Sequence, residues 1–189
     1  GFVPTMGAIH KGHISLIKKS IFQSKITVVS IFVNRTQFNR AIDFKKYPRN
    51  TKKDVSLLKK FKVDYVFIPN NKDIYPYGAR KKIYLHQFSK QLCGKDRPGH
   101  FKAVVDVIDR FITIIKPKRI YFGEKDFQQF LLVTDFIKKS KIKTKIIKCK
   151  TIRINNSLPY SSRNFLLSEN QIKKASFVSR TIYKFYLSI

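Results

Sequence analysis

The sequence predicts a doubly wound α/β fold, a mostly parallel sheet with helices on both faces, and its apolar pattern and turn residues are what predict it. Runs rich in Val, Ile and Phe recur at strand length, segments with a 3.6-residue apolar period lie between them, and Gly- or Pro-bearing turns mark the junctions. Strands apolar on both sides belong to parallel sheets covered on both faces, and parallel neighbours need helical crossovers.

The elements follow in order. Phe2, Val3 and Pro4 directly after Gly1 read as the last piece of a strand, so an earlier strand–helix segment is expected before them. Beyond the glycine turn, Ile14, Ile17, Ile21 and Phe22 keep helical spacing, and residues 26–33 form a nearly continuous β-branched strand. A helix is predicted over residues 51–61, with Thr51 and Asp54 suited to a capping box, then a strand over 65–68. Val104, Ile108, Phe111 and Ile115 make a helical stripe, residues 119–122 a strand, 127–137 a helix and 144–152 a strand. Ser168 and Gln171 form a second capping box at the head of a helix over 168–187. Ligands in such sheets lie at the carboxyl ends of the strands, which brings the loops after Val3, Val33 and Phe122 together.

A chain of 189 residues that is 43% hydrophobic can bury one substantial core, but its formal net charge of +29 invites a polyanion as partner. Lys far outnumbers Arg and is scattered through nearly every segment, whereas sequence-reading modules concentrate Arg forks and aromatics on one face. A solvated Lys-rich surface is therefore expected, with a basic nucleic-acid binder as the competing class. Cys93 and Cys149 form no cluster, so both read as reduced packing residues of a cytoplasmic protein. No apolar run approaches the roughly 20 residues that span a bilayer.

The segment Pro4-Thr5-Met6-Gly7-Ala8-Ile9-His10-Lys11-Gly12-His13 joins a strand end to a helix start. Glycines let backbone approach phosphate, a helix N-terminus offers free N–H groups, and paired imidazoles can donate to charge developing on a triphosphate. Zinc is the alternative for two histidines at this spacing, but no third ligand stands nearby in sequence. Ser30-Ile31-Phe32-Val33-Asn34-Arg35-Thr36-Gln37-Phe38 delivers the amides Asn34 and Gln37 to the same edge, where they can hydrogen-bond a hydroxy acid. Phe122-Gly123-Glu124-Lys125-Asp126-Phe127-Gln128-Gln129 again runs from strand into helix, with Lys125 as a point charge for phosphates. Ser161-Ser162-Arg163-Asn164 is a polar loop able to close on a nucleotide, and Arg97-Pro98-Gly99-His100-Phe101 is a turn before a helix.

The His-x-Gly-His spacing resembles the nucleotidyltransferase superfamily that includes class I aminoacyl-tRNA synthetases, and these five segments in this order, with Tyr47-Pro48-Arg49, resemble the pantothenate synthetase family. The resemblance implies a Rossmann-like catalytic domain over residues 1–155, with a nucleotide-closing loop and the start of a C-terminal lid domain over 156–189. It implies ATP-dependent joining of pantoate to β-alanine through a pantoyl-adenylate, with Mg2+ accompanying ATP and a homodimer as the assembly. His13, as proton donor, His10 and Lys125 would be catalytic. Met6, Gly7, Ala8, Ile9, His10, Lys11, Gly12, His13, Gly123, Glu124, Lys125, Asp126, Ile152, Tyr160, Ser161, Ser162 and Arg163 would hold ATP, and Gln37, Gln129 and Asn34 the acid. The chain departs from the family in carrying Arg35 where Pro is usual, and Asn156-Ser157-Leu158-Pro159-Tyr160 where Asp-Gly-Leu-Ala-Leu is usual. Another small-acid nucleotidyltransferase is the alternative enzyme.

Overall fold

A computed structural model describes residues 1–79, 83–155 and 157–188. In chain order the elements are β1 (Phe2–Thr5), α1 (Lys11–Gln23), β2 (Val28–Ile31), α2 (Ala41–Lys46), α3 (Thr51–Lys60), β3 (Tyr65–Phe67), α4 (Asn71–Ile74), α5 (His100–Ile115), β4 (Arg119–Gly123), α6 (Phe127–Lys139), β5 (Lys145–Cys149), the hairpin strands β6 (Arg153–Ile154) and β7 (Leu158–Pro159), and α7 (Glu169–Leu187). The main sheet has the order β3-β2-β1-β4-β5 and is parallel throughout. Its order reverses between β1 and β4, which opens a crevice at the carboxyl ends of those two strands.

Alternate side chains of the strands feed two cores. Phe2, Ile120 and Phe122 pack with Val104, Val105, Ile108, Phe111 and Ile112 of α5 and with Val133 and Ile137 of α6. Val3, Val29, Ile31, Tyr121 and Cys149 pack on the other side with Ile17 of α1 and Leu58 of α3. The near-continuous apolar runs of the strands thus have helices on both faces, as the pattern predicts.

Several local expectations are corrected. The strand expected over 26–33 is shorter at both ends, β2 spanning Val28–Ile31, although Ile26 and Thr27 still bond to neighbouring segments through the Ile26 carbonyl, which accepts from the Gly1 nitrogen at 2.7 Å, and the Thr27 amide, which donates to Asp64. Helix α1 buries Ile17 and Ser20, whose hydroxyl meets Thr27 Oγ1 at 2.9 Å, so Ile21 and Phe22 turn outward and Phe22 is 89% exposed. Helix α3 is capped by Asn50, whose side chain accepts from the Lys53 amide, and not by Thr51 with Asp54. The Ser168–Gln171 capping box is present as expected. Cys149 is a packing residue, but Cys93 is exposed. Asn156, one of the departures from the family pattern, lies outside the described residues.

Candidate nucleotide and acid site

The carboxyl end of β1 enters a turn in which Gly7 (φ +77°) and Ala8 (φ +48°) are both left-handed. The turn ends at His10, the N-cap of α1. His10 Nδ1 accepts from the Gly12 amide at 3.1 Å, and His13 Nδ1 accepts from the His10 amide at 3.4 Å. The two rings stack with centroids 3.9 Å apart. Because both Nδ1 atoms are acceptors, both neutral imidazoles carry their proton on Nε2, which remains as a donor. Gly12 makes this possible, since a Cβ there would lie 2.9 Å from Cε1 of His10.

Burial first, and then the charge of Lys125, lowers the His10 pKa to about 4. Burial, then His10 and Lys125, lowers that of His13 to about 3. Both rings are therefore neutral at pH 7, which suits hydrogen-bond donation from Nε2 to an anion.

A cavity of about 560 Å3 opens in front of these rings at the β1–β4 crevice. Of the residues singled out in the sequence, Met6, His10, Gly12, His13, Gln37, Gly123, Lys125, Asp126, Gln129, Ile152, Tyr160, Ser161, Ser162 and Arg163 line it. Strand ends bring in the first and third motifs, while the β6–β7 hairpin, closed by the Tyr160 amide on the Ile152 carbonyl at 3.0 Å, brings in the fourth. Lys125, Lys150, Arg97 and Arg163 stand against the carboxylate of Asp126, so the lining is cationic and suited to a polyphosphate.

Other expected residues are placed elsewhere. Gly7, Ala8, Ile9, Lys11 and Glu124 do not line this cavity. The Ala8 and Ile9 amides donate to Asp54, and the Gly7 and Ala8 carbonyls accept from Ser162 Oγ. Lys11 reaches over the Tyr160 ring at 5.9 Å, and Glu124 accepts from the Thr151 amide at 3.0 Å. Asn34 is fully buried outside the lining and accepts from the Thr36 hydroxyl at 2.9 Å. Among the described residues no group of three His, Cys, Asp or Glu side chains is placed to hold a metal, so the zinc reading of His10 and His13 finds no further ligand.

Sequence reasoning missed or underrated part of the lining. His100, whose pKa burial lowers to about 4, sits with Nδ1 2.9 Å from the Gln37 carbonyl and 2.9 Å from Arg97 Nη2. Tyr47 stacks under Arg163 at 5.6 Å, and Phe88, Leu92 and Cys93 close one wall. That wall is pinned by Gln128, whose Nε2 donates to the Phe88 and Gln91 carbonyls at 2.9 and 2.8 Å. Both adjacent glutamines line the cavity: Gln128 is buried with its Nε2 engaged and its Oε1 without a protein partner among the described residues, and Gln129 is partly exposed. The Tyr47-Pro48-Arg49 and Arg97 to Phe101 motifs were the available signals for the first two, and nothing local marked Cys93.

A model of the family described as Pantoate-beta-alanine ligase matches residues 1–186. The chain belongs to that family. The pantothenate synthetase of Pseudothermotoga lettingae is 44% identical over 182 residues, which are 96% of this chain and 65% of that protein. The chain superposes on the pantoate-beta-alanine ligase of Francisella tularensis, solved complexed with beta-gamma ATP and beta-alanine, with a TM-score of 0.91 at 44% identity over 95% of this chain and 69% of that one. Pantothenate synthetase of Thermus thermophilus gives a TM-score of 0.90 at 36% identity, over 95% of this chain and 65% of that one. The chain spans 65% of the length of the curated relatives from Pseudothermotoga and Thermodesulfovibrio. Among the described residues, no helix is long and apolar enough to cross a membrane.

Proposed function

We propose that this chain carries the ATP-dependent condensation of pantoate with β-alanine, through a pantoyl-adenylate, with release of AMP and pyrophosphate. The observation that carries the reading is the pair of neutral, backbone-fixed imidazoles at the head of α1, facing a cationic cavity at the β1–β4 crevice. The Nε2–H donors of His10 and His13 and the charge of Lys125 would meet negative charge as it grows on the phosphates while the acid attacks the α-phosphorus. Arg163 and the Ile152–Tyr160 side of the hairpin would close on the nucleotide, and Gln37 and Gln129 would orient the acid. β-Alanine would then attack the acyl carbon and displace AMP. The relative from Francisella, solved with beta-gamma ATP and beta-alanine, supports both ends of this scheme.

Mg2+ fits this site as a cation held mainly by the nucleotide, since Mg2+ commonly takes one or two carboxylates plus substrate phosphates and Asp126 is a carboxylate in the lining. When bound, it would neutralise phosphate charge. A homodimer in the cytoplasm belongs to the same proposal and is checked by sedimentation. The free thiols Cys93 and Cys149 accord with a reducing compartment.

The deciding experiment is pyrophosphate exchange into ATP with a panel of hydroxy acids. Exchange that requires pantoate and proceeds without β-alanine is expected. Exchange driven equally by unrelated acids, or absent with every acid, would overturn the reading.

A further inference from the structure

The turn between β1 and α1 is held by a residue outside the cavity. Left-handed backbone is disfavoured for residues with a Cβ, so Ala8 at φ +48° directly after Gly7 at φ +77° needs restraint from its surroundings. Asp54, 46 positions from Ala8 and only 3% exposed, supplies it. One carboxylate oxygen accepts from the Ala8 amide at 2.8 Å and the other from the Ile9 amide at 2.8 Å. On the opposite side Ser162 Oγ reaches the carbonyls of Gly7 and Ala8 at 3.4 and 3.2 Å. The fit is close, because a Cβ on Gly7 would lie 2.9 Å from Oδ2 of Asp54. A carboxylate buried this deeply is costly unless its oxygens are satisfied, and here both are satisfied by successive amides of one turn.

We infer that Asp54 is a positioning residue for the paired imidazoles, fixing the backbone that delivers His10 to the head of α1. It does not line the nucleotide cavity. Asp54 is instead among the residues lining a second cavity of about 560 Å3, together with Gly7, Ile31 and Ile68. Its effect on chemistry therefore passes through the turn. The inference rests on the adenylate-forming reading for its kinetic test and on geometry alone for its binding test.

The test compares Asp54→Asn and Gly7→Ala, singly and together, in the full chain. Asn keeps the shape but sets an amide against one of the two N–H donors, and Ala puts a methyl against the carboxylate. In samples shown to be folded by circular dichroism, each is expected to lower kcat for pantoate-dependent exchange on the order of 10- to 100-fold, the scale of a small misplacement of catalytic groups. KM for ATP should rise as well. The double variant should lose less than the product of the single losses, because both changes break the same contact. Parental kcat and KM, or a loss that only follows the folded fraction at unchanged KM, or full multiplicativity, would each overturn the inference. If the parent shows no exchange with any acid, the functional reading fails but this one is still decided by calorimetry with Mg-ATP. Weakened ATP binding by folded Asp54→Asn supports it, and parental binding refutes it.

Discussion

The turns that leave β1 and β4 each run from a strand end through a glycine into a helix, Gly7-Ala8-Ile9-His10 in one and Gly123-Glu124-Lys125-Asp126 in the other, yet the structure treats them in opposite ways. The β1 turn has two consecutive left-handed residues, buried hydrogen bonds to Asp54 and Ser162, and imidazoles that cap their own helix. The β4 turn is a short 3-10 turn over Glu124–Asp126, anchored by Glu124 to Thr151. There the side chains of Lys125 and Asp126 are exposed and pair with each other at 3.2 Å. The difference follows from what each turn presents. Neutral N–H donors act through short directional bonds that weaken steeply with misalignment, so their backbone must be fixed. A lysine acts through charge, which falls off gently with distance and tolerates a looser tether.

The largest expected effect separates the two kinds of donor. His13→Ala and His10→Ala should each lower adenylate formation on the order of 100- to 1,000-fold, as loss of one preorganised donor does. Lys125→Ala should also be strongly impaired, but Lys125→Arg should recover most of the rate while His13→Gln should not. Exchange assays that find both conservative variants equally active, or equally dead, would break the comparison.

Glycine substitutions sharpen it at the level of stability. Gly12→Ala places a Cβ against the His10 ring and should destabilise by about 1–3 kcal/mol, the usual cost of overpacking, as read from urea unfolding. Gly123→Ala meets nothing within 4 Å at a backbone φ of −76°, so its stability should stay within about 0.5 kcal/mol of the parent. Equal losses would show that the β4 turn is as tightly built as the other.

The smallest effect is a pH slope. His10 and His13 hold folded pKa values of about 4 and about 3, below the ordinary 6.5, so the unfolded chain takes up protons that the folded chain refuses. Stability from this source is complete above about pH 6.5 and is lost as pH falls toward 4. The urea midpoint should therefore drop between pH 7 and 5, and His10→Ala/His13→Ala should flatten that drop without abolishing it, since His100 is lowered in the same way. A slope unchanged in the double variant would mean that the imidazoles are not held neutral by the fold.

Local pattern was enough for much of this molecule. The five sheet strands, the helices α1, α3, α5, α6 and α7, the parallel sheet and the strand-end position of the His10–His13 and Lys125 motifs were legible, because periodicity and turn chemistry are carried by neighbours in sequence, whereas the short helices α2 and α4 and the β6–β7 hairpin were not. The same reasoning put Asp54 in a helix cap and Cys93 in packing, and the structure moved both; it put Ile21 and Phe22 on a helix, where they are, but could not show that they face outward. Nor did it show that Gln128, beside Gln129 in the cavity lining, is tied through its Nε2 to the Phe88 and Gln91 carbonyls. Sequence by itself determined which chemical groups arrive at the carboxyl edge of the sheet. Only the tertiary structure decided which of them are held and which are left free, because the groups that satisfy a buried amide or carboxylate come from segments tens of residues away and leave no trace in the local pattern.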